Sequence, residues 1–203
     1  MKMNPLLNKL KRGPQVILPK DIGMILAFTG IGKASKVVDA GAGSGWLAIS
    51  LGNVCKSVVT YERREEFAEL TKMNAERAGL KNVKVKLADI FEGISEKGLD
   101  LITLDLADSD IVVPHAHSAL KEGGFLVGYL PHSEQVSKFV KECERAGFAG
   151  AFCIECIVRE MLVREQGFRP ENTGLTHTAY LVFARKRKKE TGGPDGKNQA
   201  GST

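Results

Sequence analysis

The sequence predicts an α/β fold: a seven-stranded, mostly parallel sheet with helices on both faces and a terminal antiparallel hairpin. Three observations point to it. Short apolar runs rich in Val, Ile and Leu alternate with helical stretches through residues 36–146, the pattern of repeated strand–helix units that builds a parallel sheet. The first of those runs leads into Asp39-Ala40-Gly41-Ala42-Gly43-Ser44-Gly45-Trp46-Leu47, a strand feeding a glycine turn and the start of a helix. The last two strand-like segments follow one another with only a loop between them.

The elements follow in order. Residues 1–13 read as an irregular basic leader. Residues 14–20 are extended, stiffened by Pro14 and Pro19, and lead into a helix over 21–29 with Asp21 as its N-cap. A strand over 36–40 precedes the glycine turn, and the helix after it spans 44–51. A second strand over 57–61 is followed by a helix over 64–78 that Gly79 closes. The third strand is 83–87, followed by Ala88-Asp89. The fourth is 99–104, ending at Asp105. Residues 111–120 are helical, and Gly123-Gly124 break that helix before a fifth strand over 125–130. Residues 132–146 form a helix stopped by Gly147. Segments 151–163 and 176–186 make the hairpin, with 164–175 as its loop. Residues 188–203 hold one Ala and almost no other apolar group. They bury too little surface to offset their ordering entropy and are expected to be disordered. The domain plan is thus a leader over 1–13, one domain over 14–187 and a tail over 188–203.

The chain has 203 residues, 43% of them hydrophobic and 26% charged, which fits one globular domain with a sizeable core. No apolar run approaches the ~20 residues that span a membrane, and the first 12 residues lack a signal-peptide apolar stretch. A cytoplasmic location is expected. The net charge of +5 leans toward an anionic partner such as nucleic acid. Cys153 and Cys156 have C-x-x-C spacing, but they lie in a strand-like run with no second pair and no histidine cluster. They, with Cys55 and Cys143, are expected to be buried free thiols rather than zinc ligands. His115 and His117 stand two apart on a helix and do not share a face.

The chemistry converges on one edge. Glycines at 41, 43 and 45 let a ligand approach the backbone. Glu62 ends the second strand about 20 residues after the turn, where a carboxylate accepts from both ribose hydroxyls of an adenosine. An acid at the mouth, Asp39, repels a pyrophosphate but suits a cofactor carrying an ammonium and a sulfonium. Asp89 and Asp105 follow the third and fourth strands, and open parallel sheets bind ligands beyond the carboxyl ends of their strands. Asp39 then lies near the amino-acid part of the cofactor, Glu62 at the ribose and Asp89 at the adenine amino group. Phe67 is a candidate to pack on the adenine face, with a helix core position as the alternative, and Asp105 faces the substrate. The glycine pattern resembles motif I of the S-adenosyl-L-methionine methyltransferases, and the fold expected is therefore that of a Rossmann-like class I methyltransferase. The run Asp105-Leu106-Ala107-Asp108-Ser109-Asp110 lacks partner acids at metal-site spacing, so no metal is expected.

The flanking segments narrow the reading. They are Arg12-Gly13-Pro14-Gln15-Val16-Ile17-Leu18-Pro19-Lys20-Asp21, Leu130-Pro131-His132-Ser133-Glu134-Gln135-Val136, Arg159-Glu160-Met161, Arg169-Pro170, and Thr176-His177-Thr178-Ala179-Tyr180-Leu181 continuing to Lys186. Together they resemble the tRNA adenine N1-methyltransferases that modify the T loop at position 58, especially archaeal members that also modify position 57. The resemblance implies S-adenosyl-L-methionine as donor, S-adenosyl-L-homocysteine as product, a tRNA substrate and a homotetramer. Carried over by position, it puts cofactor contacts on Ser44, Gly45, Trp46, Leu47, Glu62, Phe67 and Asp89, and the catalytic aspartate on Asp105. Gln15, Lys20 and His177 are candidate substrate-binding residues, with a structural role for each as the alternative. Three departures stand out: Leu18 replaces an aromatic or His, the Pro-Trp after the catalytic Asp is missing, and so is the family's small N-terminal β-rich domain. Two other readings stay open, a small-molecule methyltransferase of the corrinoid-precursor type and a non-catalytic cofactor- or tRNA-binding subunit.

Overall fold

The computed structural model describes residues 4–172, 174 and 177–188. In chain order its elements are α1 (Pro19–Thr29), β1 (Lys36–Ala40), α2 (Trp46–Gly52), β2 (Ser57–Glu62), α3 (Glu65–Ala78), β3 (Val83–Leu87), β4 (Leu99–Leu104), α4 (Ser109–Ala119), β5 (Leu120–Leu130), α5 (Ser133–Arg145), β6 (Phe148–Glu155), β7 (Met161–Arg164), β8 (Gly167–Pro170) and β9 (Tyr180–Lys186). Single 3-10 turns occur at Leu7–Lys9 and Ile90–Glu92.

Seven strands form one sheet in the order β3-β2-β1-β4-β5-β9-β6. All pairs up to β5 are parallel, and β9 runs antiparallel to both β5 and β6. The chain goes from β1 to β2 on one side and later returns to place β4 on the other. The carboxyl ends of β1 and β4 therefore flank the switch point, where the connecting loops part and leave a crevice.

Both faces are covered. On one, α4 and α5 bury Val112, Val113, Ala116 and Phe139 against the sheet. On the other, Ile22 and Ile25 of α1 and Leu47, Ile49 and Leu51 of α2 pack with Val37, Val58 and Leu101. Phe139 is wholly buried against Gly128, where a Cβ would lie 3.0 Å from the ring. Burying one such side chain contributes roughly 2–3 kcal/mol. Among the described residues no helix is long and apolar enough to cross a membrane.

Several sequence expectations change. The leader is seated on the domain: Leu7 and Leu10 are buried with the α1–α2 core. Helix α1 starts at Pro19 behind Leu18, because proline suits the first turn of a helix, whose N–H groups have no helical acceptor. Asp21 is not its cap but a wholly buried ion-pair partner of Lys20. β5 begins at Leu120, where the sequence reads as helix and turn, since Leu120 pairs with Leu99 across a bulge. The strand expected over 151–163 ends at Glu155, and a separate small hairpin, β7–β8, occupies part of the expected loop. The expected antiparallel hairpin completes the seven-stranded sheet, with β9 between β5 and β6 and with β6 at that edge. The tail expected over 188–203 falls outside the described residues beyond Lys188. The thiols also differ, for Cys55 and Cys143 are buried while Cys153 is exposed and Cys156 partly so.

Candidate active site

The glycine turn after β1 is fixed by backbone contacts. Gly41 and Ala42 donate to the carbonyl of Tyr61, at 3.1 and 3.3 Å, and Gly45 donates to that of Ala42 at 2.7 Å. Gly41, Gly43 and Gly45 all have positive φ, at 87°, 55° and 79°, a region that costs other residues about 1–2 kcal/mol. Space adds to the demand at Gly45, where a Cβ would meet the Thr71 methyl at 2.7 Å. A Cβ on Gly43 would meet only the Gly41 carbonyl oxygen, at 3.9 Å, and would fill open groove instead.

That groove has a volume of about 390 Å³. Its walls include Gln15, Gly41, Gly43, Glu62, Phe67, Asp89 and Asp105. Glu62, at the end of β2, is buried and accepts from the Gly43 and Arg64 backbone N–H groups, each at 3.1 Å. Each oxygen keeps a further lone pair for a ligand hydroxyl. Asp89 accepts from Phe91 N–H at 3.0 Å, which shapes the turn beside it. The Arg64 guanidinium stacks 4.0 Å over the Phe67 ring. Asp105 stands one residue beyond β4 on the opposite wall. It is open to solvent, yet protein crowds the carboxyl from most sides. Desolvation, reinforced by the charge of Asp39, pushes it up to about 7, and the water that reaches it screens part of that shift.

Other predicted site residues lie elsewhere. Asp39 does not face the groove. It sits within the sheet and accepts from its cross-strand neighbours Thr60 and Thr103, at 2.6 and 2.7 Å. Burial raises its pKa despite those two bonds. Ser44, Trp46 and Leu47 are buried, and Gly45 caps α2 below the turn, so none of the four is part of the groove wall. The Ser44 hydroxyl and the Trp46 indole N–H are buried with no hydrogen-bond partner. Lys20 is also removed from the groove. Its ammonium donates to Asp21 and to Thr178, both at 2.7 Å, and ties α1 to the approach to β9. His177 bridges Glu155, at 2.5 Å, and the Pro131 carbonyl, at 3.0 Å, and the Glu155 hydrogen bond raises its pKa. His177 is not part of the groove wall. Thr176, the start of the His-Thr segment, lies outside the described residues. No group of three or more metal-ligating side chains occurs among the described residues.

The structure adds wall residues that the sequence did not single out: Pro14, Tyr61, Arg63, Arg64, Ile90, Phe91 and Leu106. Most adjoin a strand-end acid, which was the available signal. Gln135 was also missed as a support. It donates to the Ala107 carbonyl at 2.9 Å and accepts from His132 N–H at 3.1 Å, bracing the loop after Asp105.

Sheet order, glycine turn and the acids along one rim are the arrangement of the Rossmann-like class I methyltransferases, and this chain is one of them. The family follows from comparison. A family model described as the tRNA methyltransferase complex GCD14 subunit matches residues 6–179, and the chain belongs to that family. The tRNA (adenine(57)-N(1)/adenine(58)-N(1))-methyltransferase TrmI of Methanocaldococcus jannaschii is 38% identical over 213 residues, covering 90% of this chain and 76% of that protein. The tRNA (m1A58) methyltransferase TrmI from Aquifex aeolicus superposes with a TM-score of 0.83 at 32% identity, over 90% of this chain and 74% of the other. A SAM-dependent O-methyltransferase from Thermotoga maritima gives 0.84 at 31%, over 90% and 70%.

Proposed function

We propose that this protein methylates N1 of adenine in the T loop of tRNA, at position 58 and, as in the archaeal relative, at position 57. The observation that carries the reading is the presence of Glu62 and Asp105 in the walls of one groove, with the glycine turn between them. The groove suits S-adenosyl-L-methionine: a Cβ on Gly43 would fill its cradle, and Glu62 keeps acceptor capacity for ribose hydroxyls. Asp89 is the acceptor for the adenine amino group, and Phe67 offers an aromatic face. When bound, the cofactor supplies an electrophilic sulfonium methyl and leaves as S-adenosyl-L-homocysteine.

The remaining work falls to the chain. Adenine N1 is a lone-pair nucleophile and needs no deprotonation, but it must be extruded from its stack and aligned. Asp105, when ionised, accepts from the exocyclic N6 amine. That contact orients N1 and opposes the positive charge gained on methylation. Gln15 and Pro14 form the opening on the leader side. Lys20 and His177 contribute through the positions of α1 and of the Pro131 loop rather than by touching the base. The exposed apolar side chains of Phe152 in edge strand β6, of Ile157 and Val158 after it, and of Met161, Val163 and Phe168 in the β7–β8 hairpin offer a surface for self-association, and the homotetramer itself is what the resemblance implies. A cytoplasmic location goes with a tRNA substrate.

The test is incubation with labelled S-adenosyl-L-methionine and bulk tRNA, followed by digestion and nucleoside identification. Labelled 1-methyladenosine is expected. Tight cofactor binding without labelled tRNA would overturn the substrate assignment and favour a small-molecule acceptor or a non-catalytic subunit.

A further inference from the structure

Helix α3 carries two wholly buried polar side chains, Thr71 and Asn74, three residues apart on one face. Neither caps the helix, and neither forms part of the groove wall. Both hold main-chain groups of the glycine turn. Thr71 donates to the Gly43 carbonyl at 3.1 Å. Asn74 does more. Its amide nitrogen donates to the Ser44 carbonyl and to the Lys11 carbonyl, both at 2.8 Å, and its oxygen accepts from Lys11 N–H at 2.8 Å. This pattern allows only one orientation of the amide, since the oxygen faces a donor and the nitrogen faces two acceptors. Asn74 thus pairs with both backbone groups of Lys11, as a neighbouring strand would.

Lys11 begins the segment that crosses the turn. Arg12 places its guanidinium 6.0 Å from the centre of the Trp46 ring. Gly13 lies so close to the turn that a Cβ there would stand 3.2 Å from the Ser44 Cβ. Pro14 and Gln15 then form part of the groove wall. Residues 11–15 therefore lie as a strap over the turn. Asn74 anchors its first residue through both backbone groups.

We propose that Asn74 is a positioning residue that holds this strap against the glycine turn, so that retention of the cofactor depends on a side chain that never touches it. The proposal rests on the reading that the groove takes S-adenosyl-L-methionine. Removing the amide frees the Lys11 peptide to bond with water, and it strips the Ser44 carbonyl of its buried donor. The strap lifts, and the wall formed by Pro14 and Gln15 leaves with it. Asn82 is a comparator within the same molecule. Its amide nitrogen donates to two carbonyls, Gly52 at 2.8 Å and Cys55 at 2.9 Å, away from the groove wall.

The experiment compares wild type, Asn74→Ala, Asn82→Ala and Lys11→Pro. Lys11→Pro deletes the strap's own donor, leaves α3 intact, and keeps the question answerable should Asn74→Ala not fold. Calorimetry gives the S-adenosyl-L-methionine dissociation constant, and mass spectrometry follows trypsin nicking after Arg12, a site that all four proteins keep. We expect Asn74→Ala and Lys11→Pro to weaken binding by about tenfold or more, the value of one or two lost hydrogen bonds, and to speed nicking. Asn82→Ala should lower the unfolding midpoint while both readouts stay at wild-type values. Wild-type affinity and nicking in the two strap variants would overturn the proposal, as would equal losses in Asn82→Ala. A wild-type protein that does not bind S-adenosyl-L-methionine would instead sink the cofactor reading. The two failures are distinguishable because the nicking comparison needs no ligand.

Discussion

A Cβ on Gly41 would stand 2.2 Å from the carbonyl oxygen of Asp105. The turn after β1 and the end of β4 are thus in backbone contact, and Asp105 N–H donates to the Ala40 carbonyl at 2.9 Å. No side chain separates the cofactor turn from the candidate catalytic residue. The groove owes its shape to that contact as much as to the acids around it.

Gly41→Ala should therefore harm fold and site together. The substitution meets both a left-handed φ of 87° and the Asp105 carbonyl. The expected loss is about 2–4 kcal/mol, combining backbone strain with overpacking. Denaturant unfolding measures it, and cofactor titration should show weakened binding in the folded fraction. An unchanged unfolding midpoint would contradict the contact.

Glu62→Gln keeps the side-chain shape but turns one oxygen into a donor. That donor would face the N–H of Gly43 or of Arg64, both of which now point at the carboxylate. Cofactor affinity should fall about 10- to 100-fold, the scale of a lost charge-assisted bond with a buried group left unpaired. Equilibrium binding measures this directly, and an affinity equal to wild type would remove Glu62 from the ribose assignment.

Asp105→Asn should reduce methyl transfer about 10²- to 10³-fold, the usual cost of losing one aligned electrostatic partner, with a far smaller change in cofactor affinity. The pH profile separates charge from shape. The free carboxyl is pushed up to about 7, and the ionised form is the one that accepts from N6. Transfer at low cofactor concentration should therefore climb as pH rises through about 7 and then level off. A bound sulfonium favours the carboxylate, so the rise moves to lower pH at saturating cofactor. The variant should lack the rise altogether.

The same group sets a stability profile. An acid whose folded pKa is raised binds more protons folded than unfolded, so stability falls as pH rises from its ordinary value toward the folded one. For Asp105 that window runs from about 4 to about 7. The cofactor-free protein should lose stability across it, and Asp105→Asn should lose less. Because water reaches Asp105, the gain at pH 8 is on the order of 1 kcal/mol. Thermal melts at pH 5 and pH 8 test this, and a variant less stable than wild type at pH 8 would refute the sign.

Thiol chemistry tests the packing. Burial pushes Cys55 up to about 11 and Cys143 up to about 12, while Cys153 is exposed and Cys156 partly so. Two thiols should react with an aromatic disulfide in the native protein, and two only on unfolding, since the thiolate is the reactive form. Four equal native rates would contradict the burial of Cys143 on the inner face of α5.

Much of the parallel half was legible because its signals are local. The strands over 36–40, 83–87 and 99–104 are short segments rich in Val, Ile and Leu, with Lys alternating in the second, and Gly79 closes α3 with φ 71°. What failed depends on residues far apart in the chain. Leu120 is a strand residue only because Leu99 lies beside it. The order of β6 and β9 in the sheet, on which the sequence is silent, is likewise set by the pairing of β9 with both β5 and β6. The acids show the same limit. Asp39 is the next-to-last residue of β1 and stays among the threonines of its neighbours, while Glu62 ends β2 and Asp105 lies just past β4. One position along a strand decides whether a carboxylate meets the sheet or the ligand, and no local pattern reports it. Asn74 and Thr71 left a faint sign, two polar residues on the inward side of an amphipathic helix.

The place of β9 between β5 and β6 has a consequence for how the molecule is made. Every other strand of the large sheet leaves the ribosome before β9 does. Until then β5 presents an open edge, and β6 has no partner in the large sheet. A chain interrupted before Tyr180 would keep a nearly finished nucleotide fold beside a bare apolar margin, a natural target for chaperones and proteases. Closure of the sheet thus waits on the last strand among the described residues.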